Sequence, residues 1–159
     1  SAVGAVLAAR SPHGCPSGTK QGVSAIFHTT GNESCHVILR GGSRTGPNFD
    51  AQHVAEVSAK LAKHKLPQTV MIDCSHGNSH KDHTKQAVAA ASACEQVAGG
   101  AWNVFGVMIE SYLVEGRQDY VPGKPAVYGQ SITDACISIE QTEPILEQLA
   151  EAQVKRGAR

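Results

Sequence analysis

The sequence predicts an α/β protein in which parallel strands alternate with helices. Short apolar segments without polar alternation recur along its 159 residues, and such segments are typical of strands that are buried on both faces. The stretches between them repeat their apolar residues with helical spacing. Apolar residues make up 41% of the chain and aromatic residues 4%, so the predicted core consists mainly of Ala, Val, Ile and Leu. The length is that of one ordinary domain.

The N-terminal region is interpreted as a helix followed by a weakened strand. Residues 1–14, SAVGAVLAARSPHG, have no charged residue ahead of their apolar part, so a buried amphipathic helix is favoured over a signal peptide. The segment HGCPSG at 13–18 contains a proline and two glycines. Proline removes a hydrogen-bond donor from a sheet and glycine weakens a strand, so this segment is predicted to be a damaged fifth strand.

The first clear strand–helix unit starts at the apolar run 36–39, which ends at Arg40 and two glycines. A polar loop leads to a predicted helix at 50–64, for which Asp50 is the expected N-cap. One face of this helix carries Val54, Val57 and Leu61. The second unit pairs a strand at 69–73, TVMID, with an Ala-rich helix at about 82–98 that two glycines close.

The third predicted strand is 104–110, VFGVMIE, and the fourth is a short one around 131–134. The segment between them is predicted to be an irregular excursion, because its helix breakers are Pro122, Gly123 and Pro125. Thr142 is the expected cap of the last helix, with Pro144 in the first turn. The predicted inward-facing residues of that helix are Ile145, Leu146 and Leu149.

Four such units leave two architectures open. A closed eight-fold barrel takes about 250 residues and rarely fewer than about 200. The chain is therefore either a small open α/β domain or part of a barrel.

Composition excludes several classes of protein. Fourteen basic and fourteen acidic side chains cancel, and no basic run suggests a nucleic-acid surface. No apolar stretch reaches the ~20 residues of a membrane helix. An odd number of cysteines without paired spacing predicts reduced thiols and a cytoplasmic location. The five are Cys15, Cys35, Cys74, Cys94 and Cys136.

Four residues whose side chains could bind a metal or an anion lie at the ends of the predicted strands: Arg40, His76, Glu110 and Asp134. In α/β folds, sites assemble at the carboxyl ends of parallel strands. One histidine and two carboxylates can hold a divalent metal, and an arginine beside two glycines suits a phosphate or carboxylate. Structural roles stay open for each residue, because strand-end carboxylates often cap helices and arginines often form ion pairs.

Other residues in this region give weaker signals. His80 and His83 have helix-like spacing from His76, but the intervening Gly and Asn predict a loop, so both are interpreted as solvated surface residues. The pair Cys74 and His76 lacks the second pair that a tetrahedral zinc site needs.

The strand ends lie in longer segments that resemble consecutive signature segments of the class I DAHP synthases. These segments are GNESCHVILRGG (31–42), VMIDCSHGNSHKD (70–82), GVMIESYLVEG (106–116) and YGQSITDACI (128–137). The resemblance runs in order from about residue 2 to the end, and TKQGVSAI at 19–26 falls in register.

Members of that family are (β/α)8 barrels that condense phosphoenolpyruvate with erythrose 4-phosphate, the first step of the shikimate pathway. The resemblance implies that residues 1–159 are the C-terminal portion of such a barrel, about four to five βα units of a catalytic domain. It assigns His76, Glu110 and Asp134 as ligands of a divalent metal of the Mn, Fe, Co or Zn class. Arg40 would bind phosphoenolpyruvate, and Arg40 and His76 would be the catalytic residues. A homo-oligomer is implied for the full-length enzyme.

The departures from the family pattern are informative. The family's fourth metal ligand, a cysteine, and its early Lys/Arg phosphate motifs have no match here, and the surroundings of Cys15 differ from that cysteine motif. Cys74 stands where the family usually has an aromatic residue. The chain by itself is therefore expected to be inactive.

Two other functions stay open. The chain could be a non-catalytic remnant or regulatory partner that binds metal or phosphate, or that pairs with a full-length synthase. A different α/β phosphate-binding enzyme is disfavoured by the length of the matching segments.

Overall fold

The computed structural model describes residues 1–124 and 126–158 and confirms a mixed α/β chain. These residues form two compact units, of which the first spans Ser1–Val37 and the second starts at Ile38.

The first unit contains one helix and one hairpin. Helix α1 spans Ala2–Arg10 and is capped by the Ser1 side chain. The predicted helix is confirmed but its predicted burial is wrong, since Val6 alone among the helix residues is buried in the described part of the chain. Small alanine and glycine side chains dominate the helix and give it little apolar surface to bury.

The interpretation of residues 13–18 as a damaged barrel strand is wrong. Strand β1, Gly14–Gly18, pairs antiparallel with β2, Ser24–His28, in a hairpin whose β1 residues are all exposed. The reversal between them is tight, because Thr19 N–H donates to Val23 O at 2.8 Å and Gly22 adopts a φ of 78°. Glycine reaches that left-handed region at little cost. The chain therefore reverses direction, and β1 pairs with the adjacent strand β2 and not with a parallel strand.

A three-stranded sheet forms the centre of the second unit. Its order is β3 (Val37–Leu39), β4 (Val70–Asp73) and β5 (Val104–Met108), and β4 pairs parallel with β5. Val70 and Ile72 of β4 are completely buried. Ile38 and Phe105, on the outer strands, are 46% and 47% exposed, so the expectation of strands buried on both faces is met by the central strand alone.

The connecting helices follow the predicted pattern with one refinement. Helix α2, Ala51–Lys63, begins after Asp50, whose carboxylate accepts from His53 N–H at 3.0 Å, as predicted. Val54 and Leu61 of α2 are 2% exposed, and Val57 is half-buried.

The predicted helix at 82–98 is divided. A 3₁₀ turn, His83–Lys85, precedes helix α3, Gln86–Ala98. The Asp82 side chain caps the turn by accepting from Thr84 N–H at 3.1 Å, so the first residues take the tighter geometry that is common at helix ends.

Beyond β5 the strands are short. Two parallel pairs occur, β6 (Ser111–Tyr112) with β9 (Ile137–Ser138), and β7 (Val114–Arg117) with β8 (Gln130–Ser131). The expected strand at 131–134 is wrong, because it ends at Ser131 and leaves Asp134 in a loop. The Ser131 hydroxyl accepts from Thr133 N–H at 3.2 Å, a local bond that turns the chain out of extended geometry.

The excursion between β7 and β8 is confirmed as irregular around Pro122 and Gly123. Pro125, which the sequence analysis also places there, lies outside the described residues. In the part of the chain that the structure describes, no helix combines the length and apolarity needed to cross a membrane.

The last helix, α4, spans Ile139–Gly157, and the prediction that Thr142 caps it is wrong. Ser138 is the N-cap, and its side chain and that of Gln141 bond each other's backbone N–H groups. This reciprocal capping box satisfies two donors at once, so the helix starts three residues before Thr142 and Pro144 lies inside it rather than in its first turn.

Inward packing of α4 is partly as predicted. Ile145 is 6% exposed, but Leu146 is 55% exposed and Leu149 is half-buried. Leu146 therefore does not belong to the core of the described residues.

Candidate metal and anion site

The carboxyl ends of the three sheet strands carry the candidate residues. Arg40 follows β3 directly, His76 lies in the loop after β4, and Glu110 comes two residues after β5. Because β4 and β5 run parallel, their carboxyl ends lie at one edge of the sheet.

His76, Glu110 and Asp134 form a cluster at this edge. His76 Nε2 lies 3.4 Å from Glu110 Oε1 and 3.7 Å from Asp134 Oδ2. One potential ligand atom from each residue lies within 4.8 Å of the other two. The side chains of His76 and Glu110 are 19% and 21% exposed, whereas that of Asp134 is 65% exposed. The structure thus brings together the three residues that the strand ends predict.

Asp73 orients the histidine. Its carboxylate, 3% exposed, lies 2.8 Å from His76 Nδ1. When Nδ1–H donates to this carboxylate, the lone pair of Nε2 is free on the side of Glu110 and Asp134. Metal-binding histidines usually donate their other N–H in this way. Asp73 was not among the predicted site residues, although an aspartate three residues before a strand-end histidine is a signal that could have identified it.

Glu110 is fixed by two partners that the sequence analysis also missed. Gln86, the completely buried first residue of α3, accepts from Glu110 N–H at 2.8 Å and donates to Glu110 O at 2.9 Å. Ser75 Oγ donates to Glu110 Oε2, which leaves Oε1 facing His76. Nothing in the sequence marks a glutamine of an Ala-rich helix as a partner of Glu110.

The loop that carries Asp134 is attached to β7. Gly116 and Cys136 exchange two backbone hydrogen bonds, of 2.8 and 3.1 Å. Asp134 itself has the most exposed side chain of the cluster, so it is the candidate ligand with the greatest freedom to adjust.

Two clefts open on the cluster. The first, of about 420 Å³, contains His76, Glu110 and Asp134 together with Arg117. The second, of about 430 Å³, contains Arg40 and the glycines beside it. His76 and Lys81 line both clefts. The two clefts therefore meet at His76 and Lys81, with the carboxylates in the first and Arg40 in the second.

The loops after β3 and β4 pack backbone against backbone at their glycines. A Cβ at Gly77 would lie 2.4 Å from Gly42 N and 2.5 Å from Gly41 C. The buried Asn78 ties the same loops together, because its amide donates to Leu39 O at 2.9 Å and to Asp73 O at 2.7 Å. This contact sets the separation between Arg40 and His76.

The remaining residues of the segment have other roles. Cys74 is completely buried, and burial, with smaller contributions from Asp73 and Cys94, raises the pKa of its thiol to about 12. His80 is exposed, as predicted. His83 is not a solvated residue, since its side chain is 21% exposed and its Nε2 lies 2.9 Å from Glu115 Oε1.

The cluster fits a divalent cation in its donor chemistry. It offers one imidazole nitrogen and two carboxylates, the ligand types that borderline divalent metals accept. Asp73 supplies the outer hydrogen bond that such a histidine needs. Arg40 adds a planar cation that matches phosphate and carboxylate groups.

The described residues thus form an α/β protein in which an imidazole, two carboxylates and an arginine lie around the carboxyl-end edge of the sheet. Residues 1–147 match the model of the DAHP synthetase I family, and the chain belongs to this family.

Named relatives agree with this assignment. The chain is 52% identical over 157 residues to the Phe-sensitive phospho-2-dehydro-3-deoxyheptonate aldolase of Escherichia coli K12, covering 98% of this chain and 44% of the relative. It is 51% identical over 156 residues to the tyrosine-inhibited enzyme of Schizosaccharomyces pombe, covering 95% and 41%. The solved phospho-2-dehydro-3-deoxyheptonate aldolase of Francisella tularensis SCHU S4 superposes with a TM-score of 0.91 at 53% identity, covering 97% and 44%. The chain spans less than half the length of these relatives.

We predict that Gly77→Ala destabilises the protein, because the new methyl group would meet backbone atoms of the facing loop. Overpacking of this kind costs about 1–3 kcal/mol. Thermal unfolding followed by circular dichroism should show a lower Tm. Gly157→Ala is the matched control, since a Cβ at Gly157 meets nothing within 4 Å. Equal Tm values for the two variants would contradict the tight loop contact.

Proposed function

We propose that this chain supplies part of the active site of a DAHP synthase, an enzyme that condenses phosphoenolpyruvate with erythrose 4-phosphate and releases phosphate. The observation that supports this most directly is the cluster of His76, Glu110 and Asp134 in a member of the DAHP synthetase I family. Residues 1–159 would form part of the (β/α)8-barrel catalytic domain, consistent with the parallel pairing of β4 and β5.

In this proposal His76 Nε2 and the carboxylates of Glu110 and Asp134 hold a divalent metal. Such an ion, of the Mn, Fe, Co or Zn class, supplies a Lewis acid that can polarise the aldehyde of the tetrose phosphate. Asp73 keeps the imidazole in the tautomer that leaves Nε2 free. Gln86 and Ser75 keep the Glu110 carboxylate in place, so the cluster is organised before any ion arrives.

Arg40 is proposed to bind the phosphate or carboxylate of phosphoenolpyruvate in the cleft that it shares with His76. The planar guanidinium can donate two parallel hydrogen bonds to such a group. Anchoring one substrate here, beside the ion that holds the other, places their reacting carbons in one region. Orientation of this kind can contribute several kcal/mol to a bimolecular reaction.

The wider assignment is part of the same proposal. A cytoplasmic location agrees with the free state of the five cysteines in the structure. Homo-oligomeric assembly of the whole enzyme is proposed from the family resemblance alone.

The metal assignment predicts that His76→Ala abolishes binding of Mn²⁺ by the 159-residue chain. The substitution removes the one nitrogen ligand of the cluster and leaves two carboxylates that repel each other. Isothermal titration calorimetry should detect binding to the parent chain and to His80→Ala, whose exposed ring lies outside the cluster. Retained affinity in His76→Ala would disprove the metal site.

The chain alone is predicted to show no turnover above that of His76→Ala, because its cluster offers three ligands and the family uses a fourth, a cysteine. A chimera in which this chain replaces the matching segment of the Escherichia coli relative should consume phosphoenolpyruvate in a metal-dependent way. Loss of that activity in the His76→Ala chimera would support the proposed function. A well-folded chimera without turnover would overturn it.

For Arg40, we predict that Arg40→Lys in the same chimera raises the KM for phosphoenolpyruvate about ten- to hundred-fold, since one charge-assisted hydrogen bond of the fork is lost. Arg44→Lys is the control, because the exposed Arg44 lines neither cleft. Steady-state kinetics at saturating tetrose phosphate measures the effect. An unchanged KM would remove Arg40 from the substrate site.

A further inference from the structure

Lys81 occupies a position that the proposed mechanism does not use. It lines the cleft that contains the metal cluster and also the cleft that contains Arg40. His76 is the other residue common to both clefts. A lysine in this position has its charge beside both regions where anionic substrates would bind.

The backbone holds Lys81 against the cluster. Its N–H donates to His76 O at 2.8 Å, which closes the loop between the two residues. His76, His80 and Lys81 all have positive φ angles, of 48°, 54° and 61°. Non-glycine residues adopt this left-handed conformation at an energetic cost, and such residues concentrate at functional sites.

The charge of Lys81 is not neutralised by a neighbouring carboxylate. Among residues 1–124 and 126–158, no ion pair of Lys81 is formed. Two nearby cations are paired, Lys85 with Asp82 at 3.4 Å and Arg117 with Asp119, whereas Arg40 in the second cleft also has no ion pair among the described residues. A lysine without an ion pair that lines two clefts is available to an external anion.

We propose that Lys81 is an anion-binding residue of the substrate site, and that it contacts the phosphate or carboxylate of phosphoenolpyruvate held between Arg40 and the cluster. This assignment rests on the proposed function for the identity of the ligand. The arrangement is suited to the task, because the flexible stem of lysine carries a point charge that can follow a phosphate group. Arg40 fixes the orientation of the anion, and Lys81 adds charge on the side of His76.

The test uses the 159-residue chain loaded with Mn²⁺ and titrated with phosphoenolpyruvate and, separately, with inorganic phosphate. Lys81→Met should weaken binding of both anions about ten- to hundred-fold, the usual loss for a hydrogen bond to a charged group. Lys81→Arg should retain most of the affinity, since the charge is kept. Lys85→Met is the matched control, four residues away and outside both clefts.

Metal binding separates this role from a structural one, because Lys81→Met should bind Mn²⁺ as tightly as the parent chain. Equal anion affinities for Lys81→Met and Lys85→Met would overturn the assignment, as would a parent chain that binds neither anion or a Lys81→Met variant that loses the metal. The chimera tests the proposed function independently. An inactive chimera with a Lys81-dependent anion site would refute synthase activity and keep the site.

Discussion

The close backbone contact between the loops after β3 and β4 is the constraint on which the rest of the site depends. Gly41 and Gly77 leave no room for a Cβ between the two loops, and the Asn78 amide bonds the ends of both strands. The oxygen of the same amide accepts from Asn48 N–H at 2.8 Å, and a buried amide with both of its functions satisfied is costly to displace. Sheet pairing alone would leave the loops free to diverge, so this contact is what places Arg40 and His76 on one cleft.

The hydrogen bonds that hold the rest of the cluster lie in progressively more exposed surroundings. Asp73 and Gln86 are almost completely buried and act on His76 and Glu110. Asp134 is held through a loop whose attachment to β7 is two backbone bonds. The site therefore has one half that is buried and continuous with the sheet, and another half, the Asp134 loop, that is exposed and attached by few bonds.

Sequence reasoning succeeded where the signal is local and periodic. It predicted the strand ending at Asp73, the helix capped by Asp50 and the irregular segment around Pro122, because apolar runs, caps and breakers act over a few residues. It failed at 13–18 and at 131–134, where a tight turn and a side-chain hydrogen bond decided the course of the chain. Gln86 was missed because its role depends on a partner 24 residues away, which no local pattern encodes.

Electrostatics explains why such a cluster would favour a cation. Asp73, Glu110 and Asp134 surround one imidazole, so three carboxyl groups share a single nitrogen heterocycle. Two like charges about 4 Å apart repel by about 1 kcal/mol in water and about 4 kcal/mol at an effective dielectric of about 20. Because Asp134 is exposed to solvent, the repulsion that involves its carboxylate is closer to the value for water. A divalent ion held by His76, Glu110 and Asp134 would replace this repulsion with attraction to each carboxylate. In the proposed site, metal binding would therefore be coupled to the placement of the Asp134 loop, and Arg40 and Lys81 would add positive charge at the two clefts.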